Sequence, residues 1–291
     1  MATVPNSVFA EFYAEQIKDQ LFASNRFLDF LTNESSYLNG RVVHIPNYTN
    51  DPKIFIDGEE GGSDYAYGFD TVATQETDLT FTIQSYRLEP IRVEDFDELV
   101  TNYDKMAAVT RNSINKLNKV VGDNMLKNIG ASVIAGNKLT LASGATMTYN
   151  DVVAMAQKLD EQDVSSEGRY LLLTPDMYYS LIKDDAVRIA SDFGQATLPT
   201  GVVSQIAGIN LLAPRSQVVL TDGSGNVSLT GGTNAGLCWV SDSIAGAWDD
   251  AKVYENQGVA QLYGNVISAE VPMGCKVSRT DGKGVILIEN V

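Results

Sequence analysis

Histidine and cysteine are nearly missing from this 291-residue chain: His44 is the single imidazole, and Cys238 and Cys275 are the only thiols. Two thiols so far apart give neither a disulfide framework nor a CxxC motif, and their sparseness fits a reducing compartment. Zinc needs His and Cys in clusters, which the chain does not have, while an all-carboxylate magnesium or calcium site stays open. The lone imidazole sits in a short strand with Pro46 two residues on. That is a poor place for the base of a Ser or Cys nucleophile, and an isolated His in an alternating strand is usually structural.

Positive charge is also scarce, with 21 Lys and Arg against 37 Asp and Glu, a net of −16. No concentrated basic patch stands out along the sequence, so a surface that grips phosphate backbones is not expected. Long apolar runs are lacking: nothing approaches the ~20 residues of a membrane span. The opening MATVPNSVFAEFYAEQ interrupts the apolar core that a secretory signal requires, and the chain is expected to be made and to stay soluble. Gly-Lys occurs only within Asp281–Gly284 and is followed by Gly. No GxGxxG opens a helix and no GxSxG elbow occurs, which removes support for nucleotide binding and for a serine hydrolase. The acid doublets Glu59–Glu60, Asp184–Asp185 and Asp249–Asp250 have the residue types of a carboxylate-dependent hydrolase. In so acidic a chain they read first as solvated surface. No catalytic, cofactor-binding or metal-binding residue is assigned.

What is present is 44% apolar residues, enough for a substantial core. The most telling stretch is entered at Val93 and predicts one long helix over 94–130. Phe96, Leu99, Val100, Tyr103, Met106, Ala107, Ile114, Leu117, Val120, Val121, Met125 and Ile129 recur at i, i+3, i+4 spacing. Glu94, Asp95, Asp97 and Glu98 suit the positive end of the helix dipole, Arg111, Lys116, Lys119 and Lys127 lie further along, and Gly130 reads as the stop. Such a helix rises about 50 Å and implies an extended molecule.

Before it, Ser7–Leu31 reads as an amphipathic arm rich in Phe, including Phe9, Phe12, Phe22 and Phe27. Such an arm packs either on its own core or on a neighbouring subunit. GRVVHIPN (Gly40–Asn47) is a short strand ended by Pro46. From Tyr48 the sequence turns glycine-rich, acidic and aromatic. Between Tyr48 and Pro90 nine acids face Lys53 and Arg87, a net of −7. A connection of this length between two strands has a job beyond joining them. It is either a solvated flap or a two-stranded arm reaching across an adjacent molecule, with Tyr65, Tyr67 and Phe69 making the contact.

After Gly130, Tyr149–Leu159 predicts a helix with Asn150 as N-cap, and Arg169–Thr174 a fully buried strand running into a helix opened by Pro175. Gly208 marks a turn, and DGSGN (222–226) closes a hairpin. The latter superficially resembles a calcium loop but lacks the later carboxylates. Strands follow at Leu237–Val240, Ala251–Glu255, Val259–Val271 and Gly274–Ile288, with Gly282 and Gly284 bracketing a final hairpin.

In this order the elements resemble a tailed-phage major capsid protein of the Hong Kong 97-type fold. The resemblance rests on TDLTFTIQSYRLEPIRVEDFDELVTNYD running into the spine helix, then GRYLLLTPDMYYSLIKDD, VSQIAGINLLAPRSQV, DDAKVYENQG and VPMGCKVSRTDGKGVILIE. It implies an α+β fold made of an N-terminal arm (1–39), an extended loop (48–82), a peripheral domain (40–47, 83–142, 251–291) and a mixed α/β axial domain (143–250). It further implies self-assembly through hexamers and pentamers into an icosahedral head that encloses DNA without sequence-specific binding. The subunit is then made in the bacterial cytoplasm and ends in the virion. A separate scaffolding protein and a portal are implied partners, and a decoration protein is a further one. Contacts between subunits are expected from Phe9, Phe12, Phe22 and Phe27 of the arm and from Lys53, Glu59, Glu60, Asp64, Tyr65, Tyr67 and Phe69 of the loop. Lys53 is the only lysine of that loop, and nothing places an acceptor beside it, so crosslinking is not expected. An encapsulin-like compartment shell is the nearest alternative.

Overall fold

The structure is a computed structural model that describes residues 17, 19–21, 25–48, 76–94, 105–142, 144, 146–184, 187, 205–222, 226–228, 230–259, 261 and 264–289. In chain order come β1 (Thr32–Asn33), β2 (Leu38–Asn39), β3 (Val42–Tyr48), β4 (Glu76–Thr82), β5 (Gln84–Arg87) and β6 (Ile91–Glu94). The long helix α1 (Lys105–Ala131), β7 (Lys138–Thr140), α2 (Tyr149–Glu161), β8 (Arg169–Leu172) and α3 (Pro175–Lys183) follow. The remainder is β: β9 (Gln205–Ile206), β10 (Ile209–Leu211), β11 (Val219–Thr221), β12 (Val227–Ser228), β13 (Thr233–Val240), β14 (Ile244–Trp248), β15 (Lys252–Val259), β16 (Gly264–Val277) and β17 (Val285–Glu289).

Two sheets form the body. In the first, β16 is the central strand: Glu270 faces Lys252 of β15 on one side and Arg87 of β5 on the other, and Met273 faces Trp248 of β14 and Gln84 of β5. Its odd residues Ala269, Val271, Met273, Cys275 and Val277 are buried in the core shared with α1. This is the period-2 pattern of a sheet with one face packed.

The second sheet is centred on β13, which pairs β17 along one edge and β11 and then β8 along the other. Here both faces are buried. Leu237, Trp239, Val285 and Leu287 point to the core under α1, while Cys238, Val240, Ile286 and Ile288 point to a second core beneath α2 and α3. Strands covered on both sides have no solvent face, so GLCWV, LLLT and VILI are nearly continuous apolar runs.

Several expectations change. Val93 and Glu94 belong to β6, paired with Asn265 and Gly264, so the long helix does not begin there. Its described span is 27 residues, a rise of about 40 Å; 95–104 lie outside the described residues. Val120 is 43% exposed, whereas Leu126 is fully buried. Gly130 does not stop the helix, which runs on to Ala131. A Cβ there would come within 2.8 Å of Val219 Cγ1, so its role is close approach to β11.

Pro46 lies inside β3 opposite Asp78, on a stretch where β3 has only β4 beside it. The α2 N-cap is Thr148, not Asn150; Asp151 Oδ2 accepts from the Thr148 N–H at 2.8 Å and from its Oγ1 at 2.7 Å. Gly282 and Gly284 do turn the chain, with φ of 66° and 83°, but β16 and β17 are not a hairpin. The turn carries the chain from the first sheet into the second. The sheets also cross the domain borders read from sequence: β7 and β17 bond into the sheet of β8 and β13, and β14 bonds to β16.

Candidate assembly surface

The acidic loop leaves the body through the ribbon β3–β4. Seven facing pairs run from Val42↔Thr82 out to Tyr48↔Glu76, where the described part ends. The foot is fixed by alternation. Val43, Phe81 and Ile83 turn inward onto Ala245 and Ala247 of β14, forming a small core of their own. The seat is made of small residues for a reason: a Cβ on Gly274 would lie 2.9 Å from the Thr82 carbonyl oxygen. Lys276 Nζ donates to the Thr80 carbonyl at 3.2 Å, pinning the ribbon from the side. On the outward side His44 Nδ1 and Asp78 Oδ2 lie 2.6 Å apart, each side chain about half exposed. The lone histidine is therefore a cross-strand partner of Asp78.

Of the contact residues expected from sequence, Phe27 is described and is only 3% exposed. It packs in the chain's own core, with the Arg215 guanidinium 5.7 Å above its ring. Ile17 and Leu21 are buried on the same core. This part of the arm thus packs inward. Phe9, Phe12, Phe22, Lys53, Glu59, Glu60, Asp64, Tyr65, Tyr67 and Phe69 lie outside the described residues.

The acids that could be imagined as catalytic have structural partners where they are described. Asp184 Oδ2 accepts from the Tyr149 N–H at 2.7 Å, and Asp249 Oδ1 from the Asp250 N–H at 2.8 Å. Asp222 closes its turn by accepting from the Asn226 N–H at 2.8 Å. Among the described residues no three His, Cys, Asp or Glu side chains converge as metal ligands. Beside the β5–β6 connection, a groove of about 630 Å³ runs past Arg87, Pro90, Tyr254 and Glu270. Ser85 Oγ donates to Glu270, and with Arg87 and Tyr254 it holds that carboxyl below its ordinary range.

One surface was not anticipated. The solvent side of α1 presents Arg111, Lys116 and Lys119, with Lys127 half-buried further along. A basic face therefore exists, contrary to the expectation from net charge. The signal was the absence of any acid in α1 other than Asp123.

No protein-family model matches the sequence, and neither does any curated protein. Solved structures do match. The capsid of the cyanophage P-SCSP1u superposes with a TM-score of 0.69 at 17% identity, covering 90% of this chain and 86% of that one. A structure from Mycobacterium phage Che8 gives 0.67 at 16% identity, covering 91% and 90%. The holo-SrpI encapsulin complex of Synechococcus elongatus gives 0.61 at 12%, covering 92% and 87%. With a ribbon-footed loop, a long helix across the central sheet and a second sheet covered on both faces, the chain has the Hong Kong 97-type capsid fold.

Proposed function

We propose that this chain is the major capsid protein of a tailed double-stranded DNA bacteriophage, assembling through hexamers and pentamers into the icosahedral head that encloses the genome. The observation that carries the proposal is the match to the P-SCSP1u capsid over 90% of this chain and 86% of that one. The built-in foot of the β3–β4 ribbon adds support, since seven registered pairs and a dedicated core fix the two ends between which residues 49–75 run.

In this reading residues 49–75 lie across the next subunit, with Tyr65, Tyr67 and Phe69 burying apolar area and the surrounding acids setting register. Phe9, Phe12 and Phe22 of the arm bury against another copy. Each contact is weak, and repetition around a closed shell makes the sum strong. A scaffolding protein and a portal act during assembly, and a decoration protein is a further partner. The subunit has a structural role, and the product is a virion component.

The encapsulin match supplies a specific second reading, a shell that encloses protein cargo. Electron microscopy of the purified chain, alone and with a scaffolding protein from the same genome, tests the first. Closed shells or hexameric and pentameric capsomers are expected. A monomer under every condition would overturn it, and shells filled with a co-expressed enzyme instead of DNA would favour the compartment.

A further inference from the structure

The long helix is where the charge of the chain reverses. Lys105–Ala131 holds five cations and one acid, within a chain of net −16. That acid, Asp123, is already paired with Arg215 at 2.9 Å. Residues four apart stack on a helix surface, so the solvent side consists of two adjacent rows. One runs Arg111, Asn115, Lys119, Asp123, Lys127; the other Asn112, Lys116, Val120, Asn124. Arg111 to Lys127 span about 24 Å along the axis. Among the described residues, no ion pair engages Arg111, Lys116, Lys119 or Lys127.

Resting on the capsid reading above, we propose that this face of α1 is a binding site for the phosphodiester backbone of duplex DNA. A polyanion laid along the rows meets the guanidinium and ammonium groups as counter-charges, and Asn112 and Asn115 supply amide N–H donors to phosphate oxygens between them. The contacts proposed here are all to phosphate oxygens, so binding is independent of sequence. The chain's own acidic loop is the other polyanion at hand. It carries Tyr65, Tyr67 and Phe69 among its acids, and those rings need an apolar seat. Val120 is the single apolar residue among the exposed positions from 111 to 127, so the face fits a ligand that is charged throughout. The acidic remainder of the chain keeps the contact weak and confines it to this stripe.

The test is fluorescence anisotropy of a short labelled duplex titrated with the unassembled full-length chain at several NaCl concentrations. Four neutralised phosphates predict that log K falls against log[NaCl] with a slope of about −3.6, that is 0.9 per phosphate. The triple variant R111Q/K116Q/K119Q should lose about 2.7 of that slope. R41Q/K183Q/K252Q, the same change in net charge at exposed positions elsewhere, should keep it. Equal losses in the two variants, or no binding by the wild-type chain at low salt, would overturn the proposal. So would a peptide of residues 48–78 binding the wild-type chain and not the R111Q/K116Q/K119Q variant while the duplex binds neither. Closed shells formed by a chain that ignores the duplex would sink this site and leave the capsid reading standing. DNA binding by a chain that never assembles would sink the capsid reading instead.

Discussion

Arg215 and Asp123 meet at 2.9 Å with only 14% of each side chain exposed, and the pair joins two segments distant in sequence. The same guanidinium donates to Asn25 Oδ1 and to the Lys119 carbonyl at 3.2 Å. Asn25 Nδ2 donates in turn to the Asn118 carbonyl at 3.0 Å and the Leu21 carbonyl at 3.1 Å. Gly122 makes room for this, since a Cβ there would overlap both Asn25 Oδ1 and the guanidinium. The end of the arm, the long helix and the loop after β10 therefore share one polar junction.

Replacing Arg215 by Met keeps much of the stem packing over Phe27 but leaves Asp123 and Asn25 without their donor. Losing hydrogen bonds to a charged group in a nearly buried place costs about 2–3 kcal/mol. Urea unfolding of Arg215→Met should lose that much, and Asp123→Asn on the same background should cost less than it does alone. Faster amide exchange around Asn25–Leu31 is the expected local signature. A wild-type unfolding midpoint would mean the junction is not a stabilising one.

Gly130 makes an unusual prediction for a glycine inside a helix. Elsewhere in an exposed helix Gly→Ala gains about 1 kcal/mol. Here the new methyl would meet Val219 Cγ1 at 2.8 Å, and overpacking costs about 1–3 kcal/mol. Gly130→Ala should destabilise, and adding Val219→Ala should return part of the loss. Thermal melting of the two variants checks both signs.

What could be read in the sequence, and what could not, divides along physical lines. Strands buried on both faces declared themselves as continuous apolar runs, as did the Pro175 helix start and the Gly208 turn, where φ is 78°. Partner choice did not. Nothing in the Arg279–Gly284 stretch says whether the next strand folds back on β16 or crosses to β13, because a tight turn has the same chemistry in both cases. On α1 the spacing admits both Val120 and Leu126. The sheet decides, since α1 comes close enough to β11 at Gly130 to bury the turn around Leu126. The Thr148–Asp151 cap carries the signature of a capping-box residue followed three positions later by an acid, which the choice of Asn150 as N-cap passed over. The basic face was hidden by a whole-chain charge sum that a helical row would have resolved.

The two thiols link the cores to alkaline pH. Burial pushes the Cys238 thiol from its ordinary 9.0 up to about 12, opposed by nearby Arg169. Burial raises that of Cys275 as well, and its Sγ donates to the Met125 carbonyl at 3.2 Å. Tyr86 is pushed up to about 12, by burial first and then by Cys275. A raised value in the folded state means that stability is complete below the unfolded pKa and falls as pH rises through the folded one. The melting temperature should therefore hold to about pH 9 and then drop steadily toward pH 12. At pH 8 neither thiol should react with an aromatic disulfide reagent until the chain is denatured, when both should. A native thiol reacting at the denatured rate would contradict the packing of β13 or β16 against its helix.

The loop can be separated from the body because Tyr48 and Glu76 face each other in register. Replacing residues 49–75 by Asn-Gly leaves a two-residue hairpin of the favoured kind on a foot whose core residues, Val43, Phe81 and Ile83, are untouched. Loop-closure entropy changes only slowly with length, so the body should melt within about 1 kcal/mol of the intact chain. Shell formation, in contrast, should be lost, since in the proposed assembly this is the segment that overlaps the neighbour. The two contributions of the loop are then separable in the full-length chain. Glu59→Gln with Glu60→Gln should reduce the salt dependence of assembly and leave closed shells at moderate ionic strength, because exposed charge pairs are screened and individually weak. Tyr65→Ser with Tyr67→Ser and Phe69→Ser should abolish shells at every salt concentration, because in the proposed assembly these rings bury against the neighbour and carry most of the contact energy. Light scattering reads both series. If the charge variants fail and the ring variants assemble, the loop docks by electrostatics and its aromatic residues face solvent.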